Sequence, residues 1–405
     1  MPKILWMSPY SLHDTTSGAS IHCRAMLENL AQKGFEIWAF SSFVFDRPQG
    51  GTTSFGDLKE LYARQPNVNI FELNDHRIHY IYLKNTHTYE MERSCIEQME
   101  YFYQFCEILD VFKPDIVLGF GTGMDSYTCF AEAKRQGCAT VYMLLNGKHS
   151  HFSFPHIDLV LTDSQTTAEL YRVRDHISAI SCGHFMTPQT VVATERQPTF
   201  ITMVTPDMEK GVAIFAKLVS VCEQEMPDQK FLVVNSRANF QQSASVLHDP
   251  NDKDAFPLRG HSFKNLLMTN GAVDLRPVLA NTKAIVVPSL AYESWSRIVS
   301  AAQLNDIPAL GANVGAIPEA IGNAGIVLDP PQHCLEDPTS LPTDEEIKPW
   351  VEALKRLLQG KWTQQLNEAK FQLDAKRLTD NLTMHLLPLC QHFQPRFHQQ
   401  GRRRP

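Results

Sequence analysis

The sequence lacks several of the patterns that assign a protein to a compartment or class directly. Its 405 residues include nine cysteines but no CxxC pair, so neither a zinc site nor a disulfide framework is indicated. No run approaches the roughly 18 apolar residues that cross a bilayer. The start of the chain also lacks the long apolar segment of a signal peptide. We therefore expect a reduced, soluble, cytoplasmic protein.

An excess of positive charge is also missing. The chain has 37 basic and 44 acidic side chains, a formal net charge of -7, which argues against a nucleic-acid partner. One basic run, Arg402–Arg404, predicts at most a weak peripheral contact with a membrane, because three charges bind anionic lipid weakly. The sequence is rich enough in apolar residues to form a core: 43% of its residues are hydrophobic, which is enough for two or three ordinary domain cores.

Short apolar runs alternate with helical spacing along most of the chain. Residues 3–7 and 35–40 have the composition of strands, and they flank a helix at about 20–33 that Gly34 is placed to end. Similar units follow, apart from a polar stretch at 44–66 that we interpret as irregular. Alternation of this kind is typical of a doubly wound parallel sheet.

The pattern lapses at residues 185–198, which contain two prolines and three threonines. A second α/β series follows over 200–330, and helical spacing returns at 346–360 and 363–385. We therefore predict an α/β fold of two doubly wound, Rossmann-like domains facing a central cleft, where a ligand can be held between them. We predict a first domain at residues 1–190 and a second domain at residues 191–375. Residues 376–405 are predicted to form a helix and a tail that pack back towards the first domain.

The segment 284–331 gathers its polar residues at the turns of an alternating strand and helix pattern. Ala284–Val287 is typical of a buried strand, and the apolar residues from Trp295 onward have the spacing of one helix face. Glu293 lies between the two. In an open α/β sheet, ligands bind at the edge where strands end and helices begin, and the N–H groups of a helix N-terminus favour phosphate. The alternative is that Glu293 only complements a helix dipole.

This segment also carries a family resemblance, in PSLAYESWSRIVSAAQLNDIPALGANVGAIPEAIG. Together with ITMVTPDMEKGVAIFAKL, FLVVNSR and DLRPVLANTKAIVVPSL before it, and LTDSQTTAELYR in the N-terminal half, it resembles the family four retaining glycosyltransferases. The resemblance implies the GT-B fold and a role in glycan biosynthesis. It also implies sugar transfer from a nucleotide-diphosphate sugar, held by the second domain, with the anomeric configuration kept. It covers nearly the whole chain and is strongest over about 200–330.

Two residues match family positions that contact the donor, and two depart from them. Glu293 matches the first Glu of the E-x7-E motif, which contacts the donor sugar, and Lys210 matches the phosphate-binding Lys. The second motif Glu, taken to bind the ribose, is replaced by Ala301, so ribose recognition is either lost or made elsewhere, with Asn305 as one candidate. An Arg often found in the family is replaced by Thr205, which removes one cation from the diphosphate site.

Three arginines are candidates to restore that charge or to contact the nucleotide. Arg297, one turn after Glu293, can bind phosphate through two donors, or it can pair with Glu293 instead. Arg237 follows the strand FLVV, and Arg276 is placed to lie beside the base, which the backbone at Ala272–Val273 would contact. For Arg237 and Arg276 the alternative is a solvated surface position. No metal or other cofactor is required, because cations and helix ends can carry the phosphate charge.

Two glycines and a histidine complete the predicted site. Gly18, at the start of the first helix, lets a diphosphate approach the helix N-terminus, and Gly315 lies in the loop that closes around the nucleotide in the family. Turn chemistry alone also explains both glycines. His149, in a loop expected to overhang the cleft, is a candidate to orient the acceptor or to bond the transferred sugar. The alternative is that His149 and His151 are exposed and without a role, and no third ligand supports a metal site.

These patterns predict a retaining glycosyltransferase that moves a sugar from a nucleotide-diphosphate sugar to an unknown acceptor. The sequence leaves a glycan, a lipid-linked glycan, a small metabolite and a protein open as acceptors. The alternative is a non-catalytic relative that binds the donor or partners an active enzyme. Ala301 and Thr205 favour the alternative, whereas Glu293 and Lys210 favour the enzyme.

Overall fold

A computed structural model of the chain describes residues 1–64, 66–149, 155–271 and 274–392. The Arg402–Arg404 run, for which a membrane contact is predicted, lies outside these ranges. Within them the chain forms two sheets, one of eight and one of six strands. In the part of the chain so described, none of the helices combines the length and apolar character needed to cross a bilayer.

The first sheet is parallel except for one hairpin, β3–β4, at its edge. Its strand order is β3-β4-β2-β1-β5-β6-β7-β8. The strands are β1 Lys3–Met7, β2 Glu36–Ser42, β3 Ile70–Asp75, β4 Ile78–Leu83, β5 Ile116–Gly119, β6 Ala139–Met143, β7 Leu159–Thr162 and β8 Ala179–Ser181. The helices are α1 Gly18–Lys33, α2 Pro48–Phe55, α3 Leu58–Arg64, α4 Cys95–Phe112, α5 Met124–Arg135 and α6 Gln165–Asp175.

The second sheet is parallel throughout, in the order β11-β10-β9-β12-β13-β14. Its strands are β9 Phe200–Val204, β10 Lys230–Asn235, β11 Leu266–Asn270, β12 Thr282–Val287, β13 Ala309–Ala312 and β14 Gly325–Leu328. The helices that follow β9 are α7 Val212–Glu225, α8 Phe240–Ser245, α9 Arg276–Asn281, α10 Arg297–Leu304, α11 Ile317–Ile321, α12 Gln332–Glu336, α13 Asp344–Gln359, α14 Thr363–Gln372 and α15 Ala375–His392. The sheet therefore has the Rossmann order 3-2-1-4-5-6, with its switch point between β9 and β12.

Buried apolar side chains cover both faces of each sheet, as parallel sheets require. One core of the first domain lies between its sheet and α1, and the other is formed by the opposite sheet face with α4 and α5. The cores of the second domain lie on the two faces of its own sheet. This layered arrangement confirms the predicted fold class of two Rossmann-like domains.

The last described helix, α15, returns from the second domain and packs on α1 of the first. Leu378, Leu382 and Leu386 are buried in the α1-side core of the first domain. An ion pair between Lys33 and Asp380 adds a polar contact at the end of α1. The first domain is therefore completed by residues from the far end of the chain.

One prediction of secondary structure was wrong. Residues 44–66 are not irregular, because they contain the whole of α2 and α3. Their glycine-rich sequence has low helix propensity, but the close approach of Gly50 to Asp14, where an added Cβ would lie 1.9 Å from Oδ1, favours glycine there. The helical spacing predicted at 363–385 corresponds to α14 and the first part of α15, which are separate helices because Asp374 accepts a hydrogen bond from the N–H of Arg377 at 2.7 Å and so caps α15.

Candidate functional site

The loop that follows β12 reaches across to the first domain. The hydroxyl of Tyr292 lies 2.9 Å from Oγ1 of Thr167, and the ring of Tyr292 lies so close to Gly147 that an added Cβ would be 2.3 Å away. Oγ of Ser294 donates to the carbonyl oxygen of Leu145 at 3.0 Å. The C-terminal ends of β6, β7 and β12 therefore meet at the junction of the two domains.

A carboxylate from the second domain caps a helix of the first. Glu319, on α11, accepts hydrogen bonds from the backbone N–H groups of Gln165 at 2.8 Å and of Thr166 at 2.7 Å. It also accepts one from the hydroxyl of Thr166 at 2.7 Å. These residues begin α6, so the negative charge lies at the positive end of the helix. The contact joins the domains on this side of the cleft.

Arg237 joins the domains at a second place. Its Nη2 donates to the carbonyl oxygen of Thr16 at 2.7 Å and forms an ion pair with Asp46. Asp14 organises that loop by accepting from the N–H groups of Thr16 at 2.8 Å and of Asp46 at 2.6 Å. Gly18 begins α1 two residues after Thr16, and a Cβ added to it would meet nothing within 4 Å. Two predicted donor-binding residues thus share one region.

Glu293 and Lys210 form an ion pair at the ends of two neighbouring strands. Nζ of Lys210 lies 2.9 Å from Oε1 of Glu293, whose side chain is only 12% exposed. The hydroxyl of Ser289 donates to the same oxygen. The other oxygen, Oε2, has no hydrogen-bond partner among the described residues. The carboxylate is therefore held in place with one oxygen available to a ligand.

Glycines bring the backbones around this ion pair together. Gly211 has φ +79°, and a Cβ there would lie 1.8 Å from the carbonyl oxygen of Pro288. Gly315 has φ +56°, and its Cβ would lie 2.5 Å from the carbonyl oxygen of Glu293. The N–H of Ala316 donates to that same oxygen at 2.8 Å. Only glycine tolerates this combination of positive φ and close approach, so the loops after β9, β12 and β13 are fixed relative to one another.

Arg297 opens α10 and carries a charge that the surrounding protein leaves unbalanced. No hydrogen bond or ion pair involves its half-buried guanidinium within residues 1–64, 66–149, 155–271 and 274–392. Burial, followed by the positive charge of Arg237, lowers the pKa of Arg297. Ser296, the N-cap of α10, is 1% exposed, and its hydroxyl has no partner in the same ranges. Two arginines and a helix N-terminus without a side-chain cap form a site that suits an anion.

Thr205 occupies the position where the family that the sequence resembles often has Arg. It has φ +64°, a conformation that costs a β-branched residue free energy. Its Oγ1 lies 2.5 Å from Oγ of Ser236, so the hydroxyls of the residues that directly follow β9 and β10 form a hydrogen bond with each other. The position therefore carries local backbone strain and supplies no cation.

Ala301 and Asn305 show how α10 departs from the E-x7-E motif of the family that the sequence resembles. Ala301 is 1% exposed and belongs to the core of the second domain. Asn305 donates to the carbonyl oxygens of Val191 at 3.0 Å and Ala301 at 2.8 Å, and it accepts from the N–H of Ala193 at 2.8 Å. Its amide is therefore engaged in holding the linker between the domains, which removes it as a partner for the ribose.

His149 lies inside the first domain and is 6% exposed, so the expectation of an exposed loop histidine was wrong. Its Nε2 lies 3.0 Å from the hydroxyl of Tyr142, and its backbone N–H donates to the hydroxyl of Tyr171 at 3.0 Å. These contacts shape the loop beneath Tyr292. Contact of His149 with an acceptor or sugar stays a prediction, and His151 lies outside the described residues.

Arg276 is exposed and bound to its neighbour Asp274, with Nε–Oδ1 and Nη2–Oδ2 distances of 2.9 and 2.8 Å. A longer hydrogen bond of 3.4 Å joins Nη1 to the carbonyl oxygen of Gln189. Val273 and Ala272 lie outside the described residues. Contact of this region with a nucleotide base therefore stays a prediction.

Sequence reasoning missed a buried cluster at the same junction. Asp163, at the end of β7, accepts a hydrogen bond from Ser294 at 3.2 Å and lies 4.0 Å from the Nδ1 of His184. Burial raises the pKa of Asp163 to about 7. No pattern in the sequence marks either residue as part of a site. Their proximity depends on how the two domains meet, and no local pattern signals it.

Comparison with known proteins finds similarity in structure only. No protein-family model matches the chain, and no curated protein matches it in sequence. A glycosyltransferase from Rickettsia africae has a TM-score of 0.65 at 13% identity, with 96% of this chain and 99% of that one covered. Sucrose-phosphate synthase from Thermosynechococcus elongatus has a TM-score of 0.61 at 12% identity, with 96% of this chain and 99% of that one covered. Anabaena HepE in complex with UDP and glucose has a TM-score of 0.58 at 14% identity, with 95% of this chain and 99% of that one covered. This likeness shows that the chain has the GT-B fold.

Proposed function

We propose that the protein is a retaining glycosyltransferase that moves a sugar from a nucleotide-diphosphate sugar to an acceptor hydroxyl. The observation that carries this proposal is the unbalanced positive charge at the cleft. Arg297 lacks a counter-charge in the described part of the chain, lies close enough to Arg237 for their charges to repel, and opens a helix without a side-chain cap. A diphosphate neutralises Arg297, adds negative charge next to Arg237, and accepts from the free N–H groups of the helix.

Each side chain of the pair next to this charge has a separate role. Lys210 is ion-paired with Glu293, and its ammonium group has N–H donors to offer to phosphate oxygens. Glu293 keeps Oε2 free to accept a hydrogen bond from a sugar hydroxyl. Since the ion pair fixes both groups, sugar and diphosphate are held in a set relation to each other, which lowers the entropy cost of reaching the transition state.

The proposed transfer is a displacement on one face of the sugar. The oxygen of the acceptor attacks the anomeric carbon from the side on which the diphosphate departs. The bond from that carbon to the diphosphate oxygen breaks with its electron pair, and the acceptor's proton passes to the departing diphosphate. Arg297 and the N-terminus of α10 stabilise the charge that develops on the leaving group. No covalent intermediate with the protein is involved.

Structural neighbours support a nucleotide sugar as the donor. HepE was solved in complex with UDP and glucose, and also in complex with UDP-glucose. Trehalose-6-phosphate synthase, another neighbour, was solved with UDP-2-fluoro glucose. A glycan, a lipid-linked glycan and a protein stay open as acceptors.

The proposal is tested by incubating the protein with UDP-, GDP- and ADP-sugars and measuring release of the nucleoside diphosphate. We expect slow hydrolysis of one nucleotide class without an acceptor, because water replaces the acceptor hydroxyl. NMR of the freshly released sugar then reports the anomeric configuration, which we expect to match that of the donor. Release of the opposite anomer would contradict the retaining mechanism, and the absence of turnover with every donor and acceptor tried would contradict the enzyme.

A specific observation favours a second candidate, a non-catalytic protein that binds the donor. Ala301 is buried in the core, so α10 offers no carboxylate at the position that contacts ribose in related enzymes. A protein of this kind would bind a nucleotide sugar without hydrolysing it. Binding that saturates without any release of nucleoside diphosphate would favour this candidate over the enzyme.

A further inference from the structure

The junction between the domains buries a carboxyl group and an imidazole to which the proposed transfer assigns no role. His184 follows β8 and is 4% exposed, and its Nδ1 lies 4.0 Å from Oδ2 of Asp163. Among the residues that the structure describes, neither ring nitrogen of His184 has a hydrogen-bond partner. A buried imidazole in this condition lacks the compensation that burial of a polar group normally requires. The ring is therefore placed for an interaction that the free protein leaves incomplete.

Two aromatic rings fix the orientation of His184. It stacks on His22 of α1, with ring centroids 4.9 Å apart and an angle of 18° between planes. It also stacks on Trp295, with a centroid distance of 5.8 Å and an angle of 12°. Nδ1 of His22 accepts from the backbone N–H of Phe185 at 3.0 Å, so a neutral His22 carries its proton on Nε2. The stack spans both domains and joins the ring of His184 to the start of α10.

The titratable groups around the pair come from several elements. His22 approaches from α1, Asp163 from the end of β7 and Arg297 from α10, while Glu319 of α11 acts on Asp163. Burial, His22 and Arg297 hold the pKa of His184 well below its usual value. Burial raises the pKa of Asp163 to about 7, and the charge of Glu319 adds to that rise. The thiols of Cys23 and Cys182 are buried next to Asp163, and burial raises their pKa values, so they stay neutral.

We propose that Asp163 and His184 form a proton-linked pair that responds to the donor, changing from carboxylic acid and imidazole to carboxylate and imidazolium when a diphosphate binds at Arg297. The proposal rests on the proposed function, since it needs a diphosphate at that place. A unit charge within about 6 Å changes a protonation equilibrium about a hundredfold at an effective dielectric constant of about 20. A diphosphate cancels the charge of Arg297 and adds negative charge of its own, so it favours the imidazolium.

The change has a definite proton balance. At about pH 7 the pair holds about half a proton, on Asp163. In the complex it holds one, on His184, so binding takes up about half a proton at that pH and approaches one proton above about pH 8. Donor affinity then falls as the pH rises above 7, approaching tenfold per pH unit. The imidazolium also adds a positive charge beside the leaving diphosphate, which stabilises its departure.

The test is isothermal titration with UDP-glucose at about pH 8, in buffers of different ionisation enthalpy. UDP-glucose is suitable because its diphosphate is esterified at both ends and has no proton to lose in this range. We expect uptake of more than half a proton by the native protein and none by His184→Asn. Asp163→Asn should also remove the rise in affinity between pH 8 and 7, because a buried imidazolium at position 184 does not form without the carboxylate that balances its charge. His333→Asn is the matched control, since His333 is paired with Glu346 in the second domain.

Each outcome decides the proposal. Uptake in the native protein and in His333→Asn, but not in His184→Asn, supports it. Binding without proton uptake by the native protein overturns it and leaves the proposed function standing. If neither UDP-glucose nor any other nucleotide sugar binds, both this proposal and the proposed function are overturned. Should His184→Asn fail to fold, Asp163→Asn decides the question: an unchanged pH dependence of affinity in that variant also overturns the proposal.

Discussion

Nζ of Lys210 lies 2.9 Å from Oε1 of Glu293, and the two residues come from different strand ends of one sheet. One cation therefore orients the carboxylate proposed to bind the sugar while it faces the proposed diphosphate. A hydrogen bond to a charged group contributes about 1.5–3 kcal/mol, so we predict that Lys210→Ala weakens binding of the nucleotide sugar about 10- to 100-fold. Isothermal titration measures the change, with Lys264→Ala, an exposed lysine of the same domain, as control. Unchanged affinity in Lys210→Ala would remove Lys210 from the site.

Two glycines with almost the same φ allow backbone strain and steric contact to be separated. Gly211 has φ +79° and would place a Cβ 1.8 Å from the carbonyl oxygen of Pro288, whereas Gly260 has φ +76° with nothing within 4 Å. We predict that Gly260→Ala costs about 1 kcal/mol, from positive φ alone, and that Gly211→Ala costs at least about 2 kcal/mol more. Urea unfolding of both variants measures the difference. Equal costs would show that the loop after β9 is not held against β12.

The pH dependence of stability tests the burial of Asp163. Its pKa rises from an ordinary 3.8 to about 7 in the folded protein. The contribution of Asp163 to the free energy of unfolding is fully present below pH 3.8 and is lost as the pH rises through about 7. His22 acts in the opposite sense, since burial lowers its pKa from 6.5 to about 4 and stability falls as the pH drops through that window.

Asp163→Asn removes only the first of these two contributions. We predict that its free energy of unfolding exceeds that of the native protein by about 1–4 kcal/mol at pH 8, with the difference vanishing near pH 4. Denaturant unfolding across this range measures both proteins. A difference that does not change with pH would contradict the assignment of the raised pKa to Asp163.

The contact between Glu319 and the start of α6 predicts an effect on domain closure. Glu319→Gln removes a negative charge from a helix N-terminus that it contacts through two backbone N–H groups. The loss amounts to about 0.3–2 kcal/mol, and we expect a larger radius of gyration by small-angle X-ray scattering. Glu336→Gln on α12 is the control, because Glu336 is exposed and bonds Gln332 of its own helix. Identical scattering from both variants would show that this contact does not hold the domains together.

The features that follow from local sequence were predictable. Alternating apolar runs predicted two parallel sheets, and the polar turn after Val287 predicted that Glu293 lies at a sheet edge. The helices at 48–64 were missed, because tertiary contacts such as that of Gly50 with Asp14 override their weak propensity. Loop composition likewise gave no sign that His149 is buried.

The parts of the site that depend on the meeting of two domains were not predictable. Arg237 contacts Thr16, 221 residues away, and Glu319 contacts Gln165, 154 residues away. That Arg297 has no partner among the described residues is a property of its whole environment, since the sequence alone equally allowed a pair with Glu293. The approach of His184 to Asp163 has the same origin.

The most direct test of the central claim is thermal unfolding of the native protein with nucleotide sugars, compared with Arg297→Gln. A ligand at about 100 times its Kd stabilises a protein by about 2.7 kcal/mol, or roughly 5 °C or more for a domain of this size. We predict such a rise with one nucleotide class in the native protein and in Arg259→Gln, whose arginine stacks on Phe256 away from α10. Arg297→Gln should show little or none. An equal rise in Arg297→Gln, or no rise in the native protein with any nucleotide sugar, would contradict the account.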